Sequence, residues 1–162
     1  MIAAATGVLG LLVAVVAWLV PSPGPGEGTK GVVPAGFLGT WRGTMVMQIA
    51  DPWSPKPASG IDDITIRQAA VGEVVAEQRA VDWPGGVGCS RSWKLTEVGE
   101  SRIELAAGST SVPDDLPSGM TCLADLTMTV RLTGEGTITV VAGYHAVGTV
   151  TTAFTGSLKR QG

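Results

Sequence analysis

The chain has 162 residues, enough for one domain, with 44% apolar and only 15% charged side chains, which excludes a disordered tail. Its net charge of −3, from 11 basic and 14 acidic residues, suits no polyanion and sets nucleic-acid binding aside. One histidine, two cysteines and no asparagine leave little for a metal centre and nothing for N-glycosylation.

Every charged side chain lies after Val20. Residues 1–20 form an uncharged apolar run that would span about 30 Å as a helix, the thickness of a bilayer's hydrocarbon core. Trp18 sits where an interfacial aromatic belongs, and Pro21, Pro23 and Pro25 stop the helix. The expectation is a transmembrane helix or signal anchor that engages the lipid bilayer. The alternative is a cleaved secretory signal, with Val15-Val16-Ala17 before the cut, although no basic residue precedes the apolar run. Either reading puts the remainder outside the cytoplasm. Residues 21–36 read as a Pro/Gly-rich tether, and residues 37–162 as an extracytoplasmic β domain. Lys30 follows a glycine run in the tether, but no strand precedes it and the Walker spacing is missing, so it is no phosphate loop.

From Gly39 the apolar residues alternate with the period of a strand. Trp41, Gly43, Met45, Met47 and Ile49 share one face of a first strand, and Ile64 and Ile66 one face of a second. A third strand is expected over 71–79, with Glu73, Glu77 and Arg79 as its polar side. Cys89, Trp93 and Leu95 mark a fourth, and Ile103, Leu105 and Ala107 a fifth. Leu126, Met128, Val130 and Leu132 give the clearest alternation, in a sixth. The seventh covers 137–141, and Val150, Thr152, Phe154, Gly156 and Leu158 share a face in the eighth. Eight antiparallel strands, each wet on one side, predict an up-and-down barrel, or a two-sheet sandwich; closure favours the barrel because it removes exposed edges. Links at 68–70, 98–100 and 133–136 are tight, whereas those at 50–62, 82–88 and 108–120 are long. In a meander the long links gather at one end, away from the tether, which is where binding is expected.

Cys89 and Cys122 are the only cysteines, and outside the cytoplasm they predict a disulfide. No nucleophile–base–orienter set is apparent: His145 is the lone histidine, beside Tyr144 near the link of strands seven and eight, and no Gly-x-Ser-x-Gly occurs. Asp62-Asp63 and Asp114-Asp115 are acidic pairs assigned to distal loops, without the ligand spacing of a calcium loop. No catalytic residue, metal site or cofactor is expected. Trp53, within Asp-Pro-Trp-Ser-Pro-Lys-Pro at 51–57, and Trp83, within Asp-Trp-Pro-Gly at 82–85, also fall on distal loops. Each either folds back as a lid or offers a stacking surface to a sugar, peptide or apolar ligand. Trp53, Trp83, Tyr144, His145, Asp114 and Asp115 are thus the candidate ligand-binding residues.

The pieces Phe-Leu-Gly-Thr-Trp-Arg-Gly at 37–43, Ile-Arg-Gln-Ala-Ala-Val-Gly-Glu-Val at 66–74, Gly88-Cys89, Trp93-Lys94-Leu95, Cys122 and Gly-Ser-Leu-Lys-Arg at 156–160 resemble the extracytoplasmic region of actinobacterial membrane serine/threonine protein kinases. The resemblance implies a sensor or binding domain of the cell envelope, behind one transmembrane helix, with an envelope ligand and self-association as its partners. No kinase Gly-rich loop, His-Arg-Asp or Asp-Phe-Gly is present, so no catalytic residue carries over and the chain is expected not to be an enzyme. A second similarity is to calycins, the lipocalin-like barrels. Gly39-Thr40-Trp41 on the first strand and Arg160 on the last fit their Gly-x-Trp and basic-residue signature, which implies the alternative function of carrying a small apolar ligand.

Overall fold

The computed structural model of the chain describes residues 31–48, 58–83, 88–111, 122–146 and 149–162. These build eight strands: β1 (Gly39–Met47), β2 (Ser59–Ile66), β3 (Val74–Asp82), β4 (Ser90–Val98), β5 (Arg102–Ser111), β6 (Leu126–Gly134), β7 (Thr137–Ala146) and β8 (Thr149–Arg160). Each pairs antiparallel with the next, and β8 returns to β1 through Trp41↔Arg160 to Met47↔Phe154, so the sheet is a closed barrel rather than a sandwich. No helix among the described residues is long and apolar enough to cross a membrane, and the expected transmembrane segment at 1–20 lies outside them.

Alternation decides what fills the barrel. Trp41, Met45, Ile64, Ile66, Leu95, Ile103, Leu105, Met128, Val130, Ile138, Val140 and Leu158 all point inward and are buried. The outer face carries cross-strand polar pairs, among them Arg42 with Asp63 at 2.6 Å and Thr129 with Glu104 at 2.7 Å. Glycine makes the closing seam. A Cβ on Gly43 would collide with the Ser157 carbonyl of β8, and one on Gly156 with the Met45 sulfur, so both positions need a bare backbone for β1 and β8 to meet.

One end of the barrel is plugged. Val32 bridges to Ala70, Val33 N–H donates to the Ala69 carbonyl at 3.3 Å, and a short 3₁₀ turn at Ala35–Phe37 drops the fully buried Phe37 onto the core. Trp41 Nε1–H donates to the Phe37 carbonyl at 2.8 Å. The Arg160 guanidinium lies over the Trp41 ring at 4.6 Å and donates to the Gly36 carbonyl at 2.6 Å. Residues 31–36, read from sequence as tether, are held against the domain by the Val32–Ala70 bridge and the buried Val33, and they lead Phe37 onto its floor.

Several boundaries differ from the alternation-based reading. The third strand starts at Val74, not Val71: Val71–Glu73 form a tight turn in which the Glu73 carboxylate accepts from Ala70 N–H at 2.9 Å. A register shift between Val74 and Ala76 then buries both Val75 and Ala76. A second shift, opposite Ala142 and Gly143, lies at Ala153, which is fully buried and breaks the simple alternation expected along the eighth strand. The seventh strand continues through Tyr144 and His145, which pair with Thr151 and Val150 rather than sitting in a link.

Candidate functional site

The end opposite the plug is where the interior turns polar. Asp62 belongs to β2 and not to a loop. It has the same parity as Ile64 and Ile66, so its carboxylate points into the barrel and is only 1% exposed. Its neighbour Asp63 points outward to Arg42. The two aspartates read from sequence as an acidic pair in a distal loop are thus held on opposite faces of one strand.

Asp62 is the terminal acceptor of a directed network. Trp83 Nε1–H donates to Oδ1 at 2.6 Å, and the Gln78 side-chain amide donates to Oδ2. Gln78 Oε1 in turn accepts from Trp93 Nε1–H at 3.1 Å. Arg91, one inward position beyond Trp93 on β4, is 7% exposed; its guanidinium stacks on the Trp93 ring at 5.6 Å and Nη1 donates to the Leu123 carbonyl at 2.9 Å. One indole and one amide therefore bond the carboxylate directly, with a second indole behind the amide and a buried cation nearby.

Burial raises the Asp62 carboxyl above its ordinary value; the Trp83 and Gln78 hydrogen bonds and the Arg91 charge act against that rise, while the Asp63 charge adds to it. Burial lowers Arg91, and the charge of Asp62 opposes this. Asp63 shifts the other way, downward, chiefly through its bond to Arg42. The signs fix a pH dependence. A raised carboxyl favours the native state most while protonated, so the Asp62 contribution is complete below the ordinary value of 3.8 and is lost as pH climbs through the folded value. Asp63 contributes above its ordinary value and loses that contribution in acid. The urea midpoint of the wild type is expected to fall relative to Asp62→Asn as pH rises from the acid range towards neutrality. A constant offset between the two proteins would show that Asp62 does not titrate with unfolding.

Trp83 is the sequence-predicted candidate that this network holds. It follows β3 directly, packs edge-on to Phe154 with centroids 6.0 Å apart at 89°, and is seated between Gly60 and Gly88, where any Cβ would strike the indole. It bonds back to the barrel mouth through Asp62 and also lines a cleft while remaining partly exposed, so removing it would take a donor from the buried carboxylate. This open cleft of about 360 Å³ is lined by Ala80, Val81, Asp82, Trp83, Gly88, Ser90 and Ser111. There the β3–β4 ladder ends at Gln78↔Arg91, and Ala80 N–H donates to Ser90 Oγ at 3.3 Å instead.

Cys89 and Cys122 are bonded, with Cα atoms 5.9 Å apart, and clamp the start of β4 to the approach of β6 at this same end. Tyr144 is half-buried against the core and pairs with Leu126 on β6. Trp53, Asp114 and Asp115 lie outside the described residues, as does the side chain of His145. Among the described residues no three His, Cys, Asp or Glu side chains converge as a metal site requires. Gln78 and Arg91 were not singled out from sequence, and Asp62 was read only as half of a loop acidic pair. Continuing the Ile66, Ile64 parity by one step, and the Leu95, Trp93 parity by one step, points at Asp62 and Arg91.

No protein-family model matches the chain, and no curated protein does. A solved structure, that of Rv2717c from M. tuberculosis, is similar over 79% of this chain and 94% of that one, at 15% identity and a TM-score of 0.40.

Proposed function

We propose that the chain is a non-catalytic binding domain displayed outside the cytoplasm, anchored to the membrane by residues 1–20, that takes its ligand at the mouth opposite the plug. The observation that carries this reading is Trp83, fixed by Asp62 at the rim of an otherwise filled barrel and lining an open cleft. Rigid aromatic surface at the rim of a closed scaffold costs little to order on binding. The disulfide suits an oxidising compartment. The sequence resemblance to membrane kinase ectodomains adds a sensor role, in which a ligand bridging two copies brings the anchors together. Such a mechanism does not need the Pro/Gly-rich tether to transmit a rigid motion.

The alternative, a calycin-like carrier, draws support from the Trp41–Arg160 pairing at the plugged end. Against it, Trp41, Met45, Trp93, Leu105 and Met128 fill the interior, and the cleft lies at the rim among serines and an aspartate.

The test of anchoring and location is fractionation of cells expressing the full chain. The protein is expected to stay in the membrane pellet through a carbonate wash and to be digested by protease added outside intact spheroplasts. Recovery in the soluble cytosolic fraction, with its cysteines reduced, would reject the reading.

A further inference from the structure

We infer that the cleft beside Trp83 is a site for a neutral saccharide, with the indole as its stacking wall and Asp82, Ser90 and Ser111 as its hydroxyl-binding groups. This deepens the binding reading above and rests on it. The lining combines one fixed aromatic surface, one carboxylate and two hydroxyls within a cleft of about 360 Å³. That set matches the two sides of a pyranose, an apolar face of C–H groups and a rim of hydroxyls.

Each group lines the cleft and keeps capacity for that role. The Trp83 N–H is already committed to Asp62, so the indole meets a ligand with ring surface rather than as a donor. Its orientation is set from the other sides by Phe154, Gly60 and Gly88. Asp82 is exposed at the end of β3 and accepts only, which suits ligand hydroxyls as donors. Ser90 Oγ accepts from Ala80 N–H, and a hydroxyl that accepts there still has its own hydrogen to give. Ser111 closes the opposite side from the end of β5.

The charge pattern selects against other classes. Among the described residues, Asp82 is the ionisable side chain of the lining, so an anionic ligand would meet its repulsion. A cation would find one carboxylate and one ring in an open, hydrated cleft, where such contacts are weak. A fatty chain would leave the serines and Asp82 unpaired beneath it.

The test uses the full chain, labelled with ¹⁵N, in a polyoxyethylene detergent, and follows the Trp83 indole N–H resonance, assigned by its loss in Trp83→Phe. Chitotriose and maltotriose are the neutral probes; trigalacturonate, choline and laurate are the others. At least one neutral probe is expected to shift the Trp83 signal saturably. Asp82→Asn should weaken that binding about tenfold and Ser111→Ala about threefold, with melting temperatures unchanged because both side chains are exposed. Equal affinity in Asp82→Asn and Ser111→Ala would overturn the site. If neither neutral probe moves the signal but trigalacturonate, choline or laurate does, the saccharide class is wrong while the binding mouth stands. If none of the five moves it, both this inference and the binding reading fall.

Discussion

Replacing Asp62 with alanine is expected to lower the free energy of unfolding by about 2–4 kcal/mol. The substitution removes the acceptor of both the Trp83 indole and the Gln78 amide, and it strips the buried Arg91 of its nearby countercharge. The carboxylate they bond is buried, with Asp62 1% exposed. The same reasoning sets the outcome of a double replacement. Asp62→Leu combined with Arg91→Met leaves no uncompensated charge, so it should recover the part of the loss that comes from the stranded Arg91, while the Trp83 and Gln78 donors stay without their acceptor. Urea unfolding with an unchanged denaturant slope is the measurement. An Asp62→Ala protein as stable as the wild type would mean that the network is solvated and contributes nothing.

Breaking the Cys89–Cys122 bond is the second large effect. The cysteines are 33 residues apart in sequence, and closing such a loop restrains the unfolded chain by roughly 3–4 kcal/mol in the entropy model. The bond also holds Leu123 beside Arg91, whose Nη1 donates to the Leu123 carbonyl at 2.9 Å. The Cys89→Ser/Cys122→Ser protein should therefore melt well below the wild type, and reductant should lower the melting temperature of the wild type alone. Insensitivity of the wild type to reductant under denaturing conditions would show that the bond does not form.

How far the fold could be read in the sequence follows from where side chains face water. β6, with Leu126, Met128 and Val130 inward and Thr127, Thr129 and Arg131 between them, declares its strand and its buried side without help. The unequal links show which end opens. What escaped was the exception to hydrophobic-in, polar-out. Asp62 and Arg91 obey the parity of their strands but break its chemistry, since an inward charge is costly unless it has partners. Those partners, Trp83, Gln78 and the Leu123 carbonyl, lie on other strands and links, and pairing of strands is what brings them together. Register shifts at Val75 and Ala153 were hidden for a related reason: an extra residue in a ladder leaves no mark in composition. The plug was hidden by its own glycines and prolines, which look like linker until Phe37 is seen beneath Trp41.

The floor built by Phe37, Trp41 and Arg160 has a practical corollary. The strap from Gly31 and the end of β8 at Arg160 both lie on that side, with Gln161 N–H bonded to the Thr40 carbonyl at 2.8 Å. A reporter or affinity handle appended after Gly162 would hang next to the plug, at the end away from Trp83 and its cleft. Immobilising the protein through its C-terminus would orient every molecule with the Trp83 end towards the bulk.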